Sequence, residues 1–183
     1  MRRPFAGSLV FAFLTIAPVT AFAQERVPTS GSTAVGIDVG AFVPPADEMN
    51  NSLLFNLLYE YYVHPRVSLR TDFGWSNPSF NTGGISNLRT VPVRLDLNYN
   101  WEGGRWHPFV GTGVGVYFMQ FRSNQQLFGE TENKFGANVG GGVEYFVHRQ
   151  VSVKGEGRYH AIQNTRGRDP SGAAFTVGLK TYF

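Results

Sequence analysis

The sequence contains no cysteine, and charged residues make up only 16% of its 183 positions. The absence of cysteine excludes a disulfide framework, a thiol nucleophile and a metal site with thiolate ligands. The scarcity of charge argues against a disordered chain, because disordered segments combine low hydrophobicity with high net charge. No uninterrupted run of about 18 apolar residues occurs, so a membrane-spanning helix is not expected. Aromatic residues, at 15%, and 22 glycines are abundant instead.

The first 23 residues have the three parts of a secretory signal peptide. Arg2 and Arg3 precede a short apolar stretch at residues 9–16. An uncleaved membrane anchor is the alternative, but this stretch is too short to span a bilayer core of about 30 Å. We therefore expect a signal peptide at 1–23 and one domain at 24–183. The cleavage motif consists of Ala21, Ala23 and the first residue after the cut, Gln24.

Cleavage would also lower the formal net charge of +3 by two, because it removes two arginines. A nearly neutral mature chain offers no basic patch for the phosphates of a nucleic acid. We therefore expect no nucleic-acid partner.

From Thr33 onward, apolar and polar residues alternate with a period of two. Such alternation places one set of side chains on each face of a β-strand. Each alternating segment has about the length that a tilted membrane-spanning strand needs. The eight predicted strands are residues 35–43, 53–63, 67–75, 91–101, 110–118, 135–147, 151–161 and 173–183.

Charge is confined to one face of these strands. The apolar set contains no charged residue in any strand, whereas the polar set contains six acidic and five basic side chains. This separation predicts an all-β barrel with one charge-free face and one charged face. The charged positions are Asp38, Glu60, Arg70, Asp72, Arg94, Asp96, Glu144, Lys154, Glu156, Arg158 and Lys180.

Short and long linkers alternate along the chain. Short turns at one end and longer polar loops at the other are typical of an antiparallel up-and-down barrel in the outer membrane. The turns are then periplasmic and the loops extracellular. The short linkers are residues 64–66, 102–105 and 148–150, and the longer ones are 44–52, 77–87, 122–134 and 163–172.

A weak internal repeat supports this arrangement. Residues 60–68 read EYYVHPRVS, and residues 144–152 read EYFVHRQVS. Each copy straddles a short turn, between strands 2 and 3 and between strands 6 and 7. The repeat therefore predicts two equivalent hairpins on opposite sides of a barrel.

A soluble eight-stranded barrel alternates in the same way, with its apolar face turned inward. Two observations favour the opposite orientation. The polar face is rich in Gly, Asn and Ser with balanced charge, which makes a poor water-facing surface. The apolar face carries aromatic residues near both ends, as expected where rings lie at two lipid interfaces. These residues are Tyr61, Tyr99, Trp101, Tyr145 and Phe183 at the turn end, and Phe55, Trp75, Phe118, Phe135, Tyr159 and Phe175 at the loop end.

The whole mature chain resembles the outer-membrane protein A/X-type family of porin-like eight-stranded β-barrels. The Gly-rich segment at 110–115 is similar to the fifth strand of that family, and the last strand is similar to its terminal assembly signal. The resemblance implies recognition by the barrel-assembly machinery and by periplasmic chaperones, and residence in the outer membrane among lipid and lipopolysaccharide. One departure is Thr181, where an aromatic residue is common. The signal positions are Phe175, Val177, Leu179, Thr181 and Phe183.

The interior of an eight-stranded barrel is just wide enough for side chains to fill. Inward charges in such a space must pair, because an unpaired buried charge is costly. We therefore expect a charge-paired, largely plugged lumen, with a narrow gated pore as the alternative. Pro92 falls inside the fourth strand and predicts either a bulge or a later strand start.

A lipid-modifying enzyme is the other functional alternative. Lipid A deacylases, which share the barrel fold, use a histidine, a serine two residues later and a nearby acid. Here His160 fits this pattern loosely, but Ile162 occupies the serine position, so the nucleophile is missing. Four scattered histidines do not form a metal motif, and no phosphate-binding loop is present. We expect no catalytic residue, no metal and no cofactor.

The loops carry the remaining charged residues. Loops on a rigid scaffold are common sites of recognition, and contact with host or phage surfaces or with lipopolysaccharide is the corresponding hypothesis. The sequence therefore favours a non-enzymatic barrel with a structural or surface-interaction role. The loop charges are Asp47, Glu48, Glu130, Glu132, Arg166, Arg168 and Asp169.

Overall fold

The computed structural model describes residues 28–44, 49–79, 85–101, 104–123, 131–165 and 169–183. The predicted signal peptide, with its cleavage residues Ala21, Ala23 and Gln24, lies outside these ranges. No membrane-spanning helix is found in the part of the chain that is described. Eight strands are present: β1 (Thr33–Val43), β2 (Ser52–His64), β3 (Val67–Ser76), β4 (Ile85–Asn100), β5 (Trp106–Ser123), β6 (Thr131–His148), β7 (Val151–Ile162) and β8 (Gly172–Tyr182).

The strands form a closed barrel in the order of the chain, and every neighbouring pair is antiparallel. Closure comes from β1 and β8, which pair from Ala34↔Tyr182 to Val43↔Ala173. Closure leaves no unpaired strand edge, which is what a β-structure needs in lipid. The predicted eight-stranded up-and-down barrel is confirmed.

The two faces of each strand differ as the alternation predicts. On β1, Ile37 is 58% exposed on the outside, whereas its neighbour Asp38 is 2% exposed on the inside. On β8, Val177 is 61% exposed, and Lys180 is buried. An apolar belt of this size is incompatible with water and suits hydrocarbon. The polar side chains therefore line the lumen.

Paired aromatic rings lie on the outer face at both ends of the barrel. At the end with short linkers, hereafter the turn end, Tyr99 packs 5.0 Å from Trp101 and Trp106 packs 4.7 Å from Tyr145, measured between ring centroids. At the opposite end, hereafter the loop end, the rings of Phe55 and Trp75 are 6.1 Å apart. These rings occupy the positions expected of two interfacial girdles.

Three strands run further toward the loop end than predicted. β4 begins at Ile85 rather than residue 91, β5 continues to Ser123 rather than 118, and β6 begins at Thr131 rather than 135. The predicted loops 77–87 and 122–134 are correspondingly shorter.

The physical reason is that alternation marks only the part of a strand that meets lipid. β5 and β6 stay paired as far as Gln120↔Thr131, and the outward-facing residues there, such as Gln120, Thr131 and Asn133, are polar rather than apolar. Backbone hydrogen bonds need no apolar face to continue into water. The hairpin therefore extends beyond the segment that the period-two pattern can detect.

Pro92 lies inside β4 without the expected bulge or late start. It pairs with Tyr117 of β5, and the pairs on either side of it keep one register with both β3 and β5. Opposite it on β3 is Gly74, where a β-carbon would lie 2.6 Å from Cγ of the proline ring. The missing side chain at Gly74 leaves room for the ring, so the strand passes through the proline.

The internal repeat corresponds to two matching hairpins. β2–β3 shifts register between Tyr62 and His64, and β6–β7 shifts register between Phe146 and His148. The Nδ1 atoms of both histidines accept a backbone N–H from two residues later, at 3.2 Å and 3.4 Å. The hairpins are four strands apart in a barrel of eight, so they face each other across the lumen.

Candidate functional site

All eleven charged residues that the alternation assigns to the polar face are buried inside the barrel. Seven of the eight strands contribute at least one of them, and β5 contributes none. The side chains divide into a central group and a group near the turn end. The central group contains Asp38, Arg70, Asp72, Arg94, Asp96, Lys154, Glu156 and Arg158, and the turn-end group contains Glu60, Glu144 and Lys180.

The central group is built around a contact between Arg70 of β3 and Glu156 of β7. Nη1 of Arg70 donates to Oε2 of Glu156 at 3.0 Å, and Nη2 donates to Oε1 at 2.8 Å. Two parallel charge-assisted hydrogen bonds are the strongest form of such a contact. Because β3 and β7 are four strands apart, this bidentate pair crosses the lumen.

The carboxylate of Glu156 also contacts two further cations, which lie on its own strand. Lys154 Nζ lies 2.6 Å from Oε2, and Arg158 Nε lies 2.6 Å from Oε1. Three cations around one carboxylate would repel each other if they had no other partners. Lys154 is shared with Asp38 of β1 at 2.8 Å, and Arg158 lies 3.5 Å from Asp96 of β4. The group is therefore a connected network.

Asp72 and Arg94 complete the central group. Asp72 Oδ2 accepts from Nε of Arg70 at 2.9 Å, while its Oδ1 lies 3.4 Å from Nη2 of Arg94. With these two residues the group holds four carboxylates and four cations. This balance fits a closed space, where a net charge would carry a large desolvation penalty.

The turn-end group places one cation between two carboxylates. Lys180 Nζ on β8 lies 2.6 Å from Oε2 of Glu60 and 2.8 Å from Oε2 of Glu144. Ser68 donates to Oε1 of Glu60, and Ser152 donates to Oε1 of Glu144. The lysine therefore bridges the two repeat hairpins, since each Glu and its Ser belong to the same copy of the repeat.

Neutral polar residues supply further hydrogen bonds to these charged groups, and sequence reasoning missed them as site residues. Asn138 donates to Oδ1 of Asp96 at 2.8 Å and accepts from Arg158. Asn98 donates to Oε1 of Glu60 at 3.3 Å, and Tyr182 donates to Glu144. All three share the inward parity of the charged residues, and that parity is the signal that could have identified them.

Apolar side chains cover the charged groups at both ends of the lumen. At the turn end the rings of Tyr62, Phe146 and Tyr182 pack against one another, with centroids 5.1 Å and 6.1 Å apart. A second cluster lies toward the loop end. It consists of Met49, Leu88, Tyr117, Met119, Phe121 and Ile162.

His160 lies in the lumen, without the surroundings of a catalytic base. Its Nδ1 is 2.9 Å from the hydroxyl of Tyr117, and its ring meets Phe42 edge-on at 6.2 Å. Ile162, in the position where the deacylase pattern has serine, also points inward and is buried. Within the described ranges, no group of His, Asp and Glu has the arrangement of a metal site.

Residues 9–183 match the family described as "Outer membrane protein beta-barrel domain". The chain belongs to this family. A 22 kDa outer membrane protein of Rhizobium leguminosarum bv. viciae is 26% identical over 130 residues, which cover 61% of this chain and 57% of that protein. The chain thus spans little more than half the length of this curated relative.

Two solved barrel structures have the same fold as this chain. Neisserial surface protein A superimposes with a TM-score of 0.67 at 13% identity, covering 84% of this chain and 98% of that one. The N-terminal β-barrel domain of Pseudomonas aeruginosa OprF gives a TM-score of 0.63 at 14% identity, with coverages of 85% and 100%. Family and fold together make this an integral outer-membrane protein.

The predicted assembly signal of this outer-membrane barrel lies on the lipid-facing side of β8. Four of its five side chains are large, apolar and exposed, and the strand carrying them pairs with both β1 and β7. Recognition of this strand by the assembly machinery stays a prediction. The residues are Phe175, Val177, Leu179, Thr181 and Phe183.

The bridging role of Lys180 generates a stability prediction. Lys180→Met leaves Glu60 and Glu144 buried without their cation, and breaking a buried ion pair typically costs about 3–5 kcal/mol. The measurement is the free energy of unfolding by urea in lipid vesicles. The matched control is Lys134→Met, because Lys134 is 21% exposed and pairs with Glu132 at 3.0 Å near the loop end. This control substitution should lower the free energy of unfolding by only about 0–1 kcal/mol. Equal losses in the two variants would contradict the bridge.

Proposed function

We propose that this protein is a non-enzymatic outer-membrane barrel whose lumen is plugged by ion pairs and which serves the envelope as a structural or surface-interacting element. The contact that carries the proposal is the bidentate Arg70–Glu156 pair. It joins opposite walls of the barrel at mid-lumen, with further cations packed around the same carboxylate. Ions would have to displace these groups in order to pass.

The energetics of buried charge favour a plug over a gate. Opening the lumen would separate Arg70 from three carboxylates, and each separated charge would have to be solvated or paired again. The contact of Arg70 with Asp96, at 3.4 Å, is looser than its contacts with Asp72 and Glu156. A narrow gated pore is therefore the alternative that a conductance experiment has to address.

The surroundings of His160 support the absence of catalysis. A serine hydrolase needs a hydroxyl nucleophile hydrogen-bonded to a base that a third group orients. The partner of His160 is the phenol of Tyr117, and that pair is buried inside the lumen, whereas the apolar surface that suits the acyl chains of membrane lipid is on the outside of the barrel. A shared barrel fold does not by itself supply an activity.

The partners proposed for this role follow from the two exposed parts of the molecule. The apolar belt suits the acyl chains of outer-membrane lipid and lipopolysaccharide, and the outward alternation of β8 suits the barrel-assembly machinery. Before insertion, the same belt needs periplasmic chaperones to keep it from aggregating. The loops would supply any contact with host or phage surfaces.

A plugged lumen predicts that the protein does not conduct ions. The purified protein should give no ion-conducting steps in a planar bilayer, whereas the double variant Arg70→Ala, Glu156→Ala should conduct, because it removes the side chains that cross the lumen. The control is the double variant Lys134→Ala, Glu132→Ala, which removes a part-exposed ion pair at the loop end and should stay silent. Regular steps from the unaltered protein would overturn the plug in favour of the pore.

The absence of an enzymatic role predicts an unchanged lipid A. Mass spectra of lipid A should be the same in cells with and without this protein, because no nucleophile accompanies His160. Loss of an acyl-chain mass that depends on the protein, and disappears in His160→Ala, would establish the enzymatic alternative instead.

A further inference from the structure

Each of the three short linkers at the turn end carries one arginine. These residues are Arg66, Arg105 and Arg149, and all three are exposed. The sequence of the short linkers contains a single acidic residue, Glu102, which lies outside the described residues, whereas the four longer linkers contain nearly equal numbers of acidic and basic residues. Basic charge is therefore concentrated at the turn end, which in an outer-membrane barrel is the periplasmic end.

Backbone hydrogen bonds fix these three turns to the rest of the barrel. In each turn the carbonyl of the last residue accepts the N–H of a residue at the end of the strand that follows the hairpin. The arginines are therefore held on an ordered rim at the ends of the strands. The donor and acceptor residues are Asn100 and Arg66 at 2.8 Å, Phe146 and Arg105 at 2.9 Å, and Tyr182 and Gln150 at 2.8 Å.

Aromatic rings of the lipid-facing girdle lie directly beside this rim. Trp101 and Trp106 flank the turn that carries Arg105, and both are exposed on the outer face. Each packs against a tyrosine of the same girdle. Tryptophan and tyrosine rings in such positions mark the depth at which acyl chains give way to headgroups. The arginines, which lie just beyond these rings, are therefore at the depth of the lipid headgroups.

Two histidines add N–H donors to the same rim. His64 and His148 are exposed and occupy equivalent positions in the two repeat hairpins. The Nδ1 atom of each ring accepts a backbone N–H, as described above. In a neutral ring the proton is then on Nε2, which can donate it to another acceptor. An anion at the rim therefore meets neutral donors as well as positive charge.

We propose that the turn end binds anionic phospholipid headgroups of the periplasmic leaflet through Arg66, Arg105 and Arg149. A guanidinium offers parallel N–H donors that match two oxygens of one phosphate. A basic residue at a membrane surface strengthens binding to anionic lipid by about fivefold. The proposal deepens the structural role proposed above and rests on it, because it names the lipid class that the barrel selects at one of its two ends.

The spacing of the turns fits one lipid for each arginine. Successive turns at this end are two strands apart in the closed barrel. At about 4.8 Å between neighbouring strands, that separation is about 10 Å along the wall. The turns that carry Arg66 and Arg149 are four strands apart and so lie on opposite sides of the barrel. The three arginines therefore contact different lipids of the surrounding layer.

The three tryptophans of the chain serve as reporters in a quenching experiment. Trp101 and Trp106 lie at the turn end, and Trp75 lies at the loop end. Lipids with brominated acyl chains quench the fluorescence of a tryptophan that they contact. The variant Trp75→Phe therefore reports on the turn end alone, and the double variant Trp101→Phe, Trp106→Phe reports on the loop end. Both are reconstituted into phosphatidylcholine vesicles that contain increasing fractions of brominated phosphatidylglycerol or brominated phosphatidylcholine.

We expect brominated phosphatidylglycerol to bind about fivefold more tightly than brominated phosphatidylcholine at the turn end, and no such preference at the loop end. Concentrated salt should weaken the preference, because it screens exposed charges. In the Trp75→Phe background, replacing all three rim arginines by glutamine should abolish the preference. The matched control is Arg89→Gln in the same background, because Arg89 is an exposed arginine near the loop end. This control should keep the preference.

Heat-modifiable migration on gels reports whether each variant is folded. If the triple variant does not fold, Arg105→Gln decides, since both turn-end reporters flank this residue, and it should remove most of the preference that they detect. Equal affinities for the two lipids at the turn end, equal preference at both ends, or a preference that survives loss of the arginines would overturn the proposal. Failure here is distinguishable from failure of the plug, because a protein without lipid preference that stays silent in bilayers loses only the lipid site.

Discussion

The structure depends on the pairing of charges that cannot reach water. Eleven charged side chains lie inside a barrel whose outside is apolar, and each would be expensive to leave unpaired. The bidentate contact between Arg70 and Glu156 pairs two of these charges across the full width of the lumen. Lys180 pairs with Glu60 and Glu144 and so connects the two repeat hairpins. The belt, the plug and the scarcity of charge in the sequence all follow from separating lipid-facing from lumen-facing positions.

Much of this architecture could be predicted because period-two alternation is a direct consequence of strand geometry. It identified all eight strands and separated the two faces of each, and the aromatic residues near both ends of the apolar face indicated which face is outward. The repeat at residues 60–68 and 144–152 indicated two matching hairpins. Strand ends at Ile85, Ser123 and Thr131 could not be predicted, since alternation fades where a strand leaves the lipid. Pro92 was misjudged because the accommodating residue, Gly74, lies on another strand.

The sequence predicts that the charges inside the lumen form ion pairs, but it does not predict which side chains pair with each other. Parity tells which side chains point inward, but the partner of each depends on its height along the axis and on the reach of its side chain. Arg94 illustrates the difference, because its sequence context matches that of Arg70, yet it has one loose ion pair where Arg70 has three contacts.

A double-mutant cycle on Arg70 and Glu156 tests the central claim most directly. The free energies of unfolding in lipid vesicles would be measured for the unaltered protein, for Arg70→Met, for Glu156→Met and for the double variant. If the cross-lumen pair closes the barrel, the double variant loses less stability than the two single losses together, with a coupling of up to about 3 kcal/mol. Single losses that add to within about 0.5 kcal/mol would contradict the account, because the two charges would then act independently.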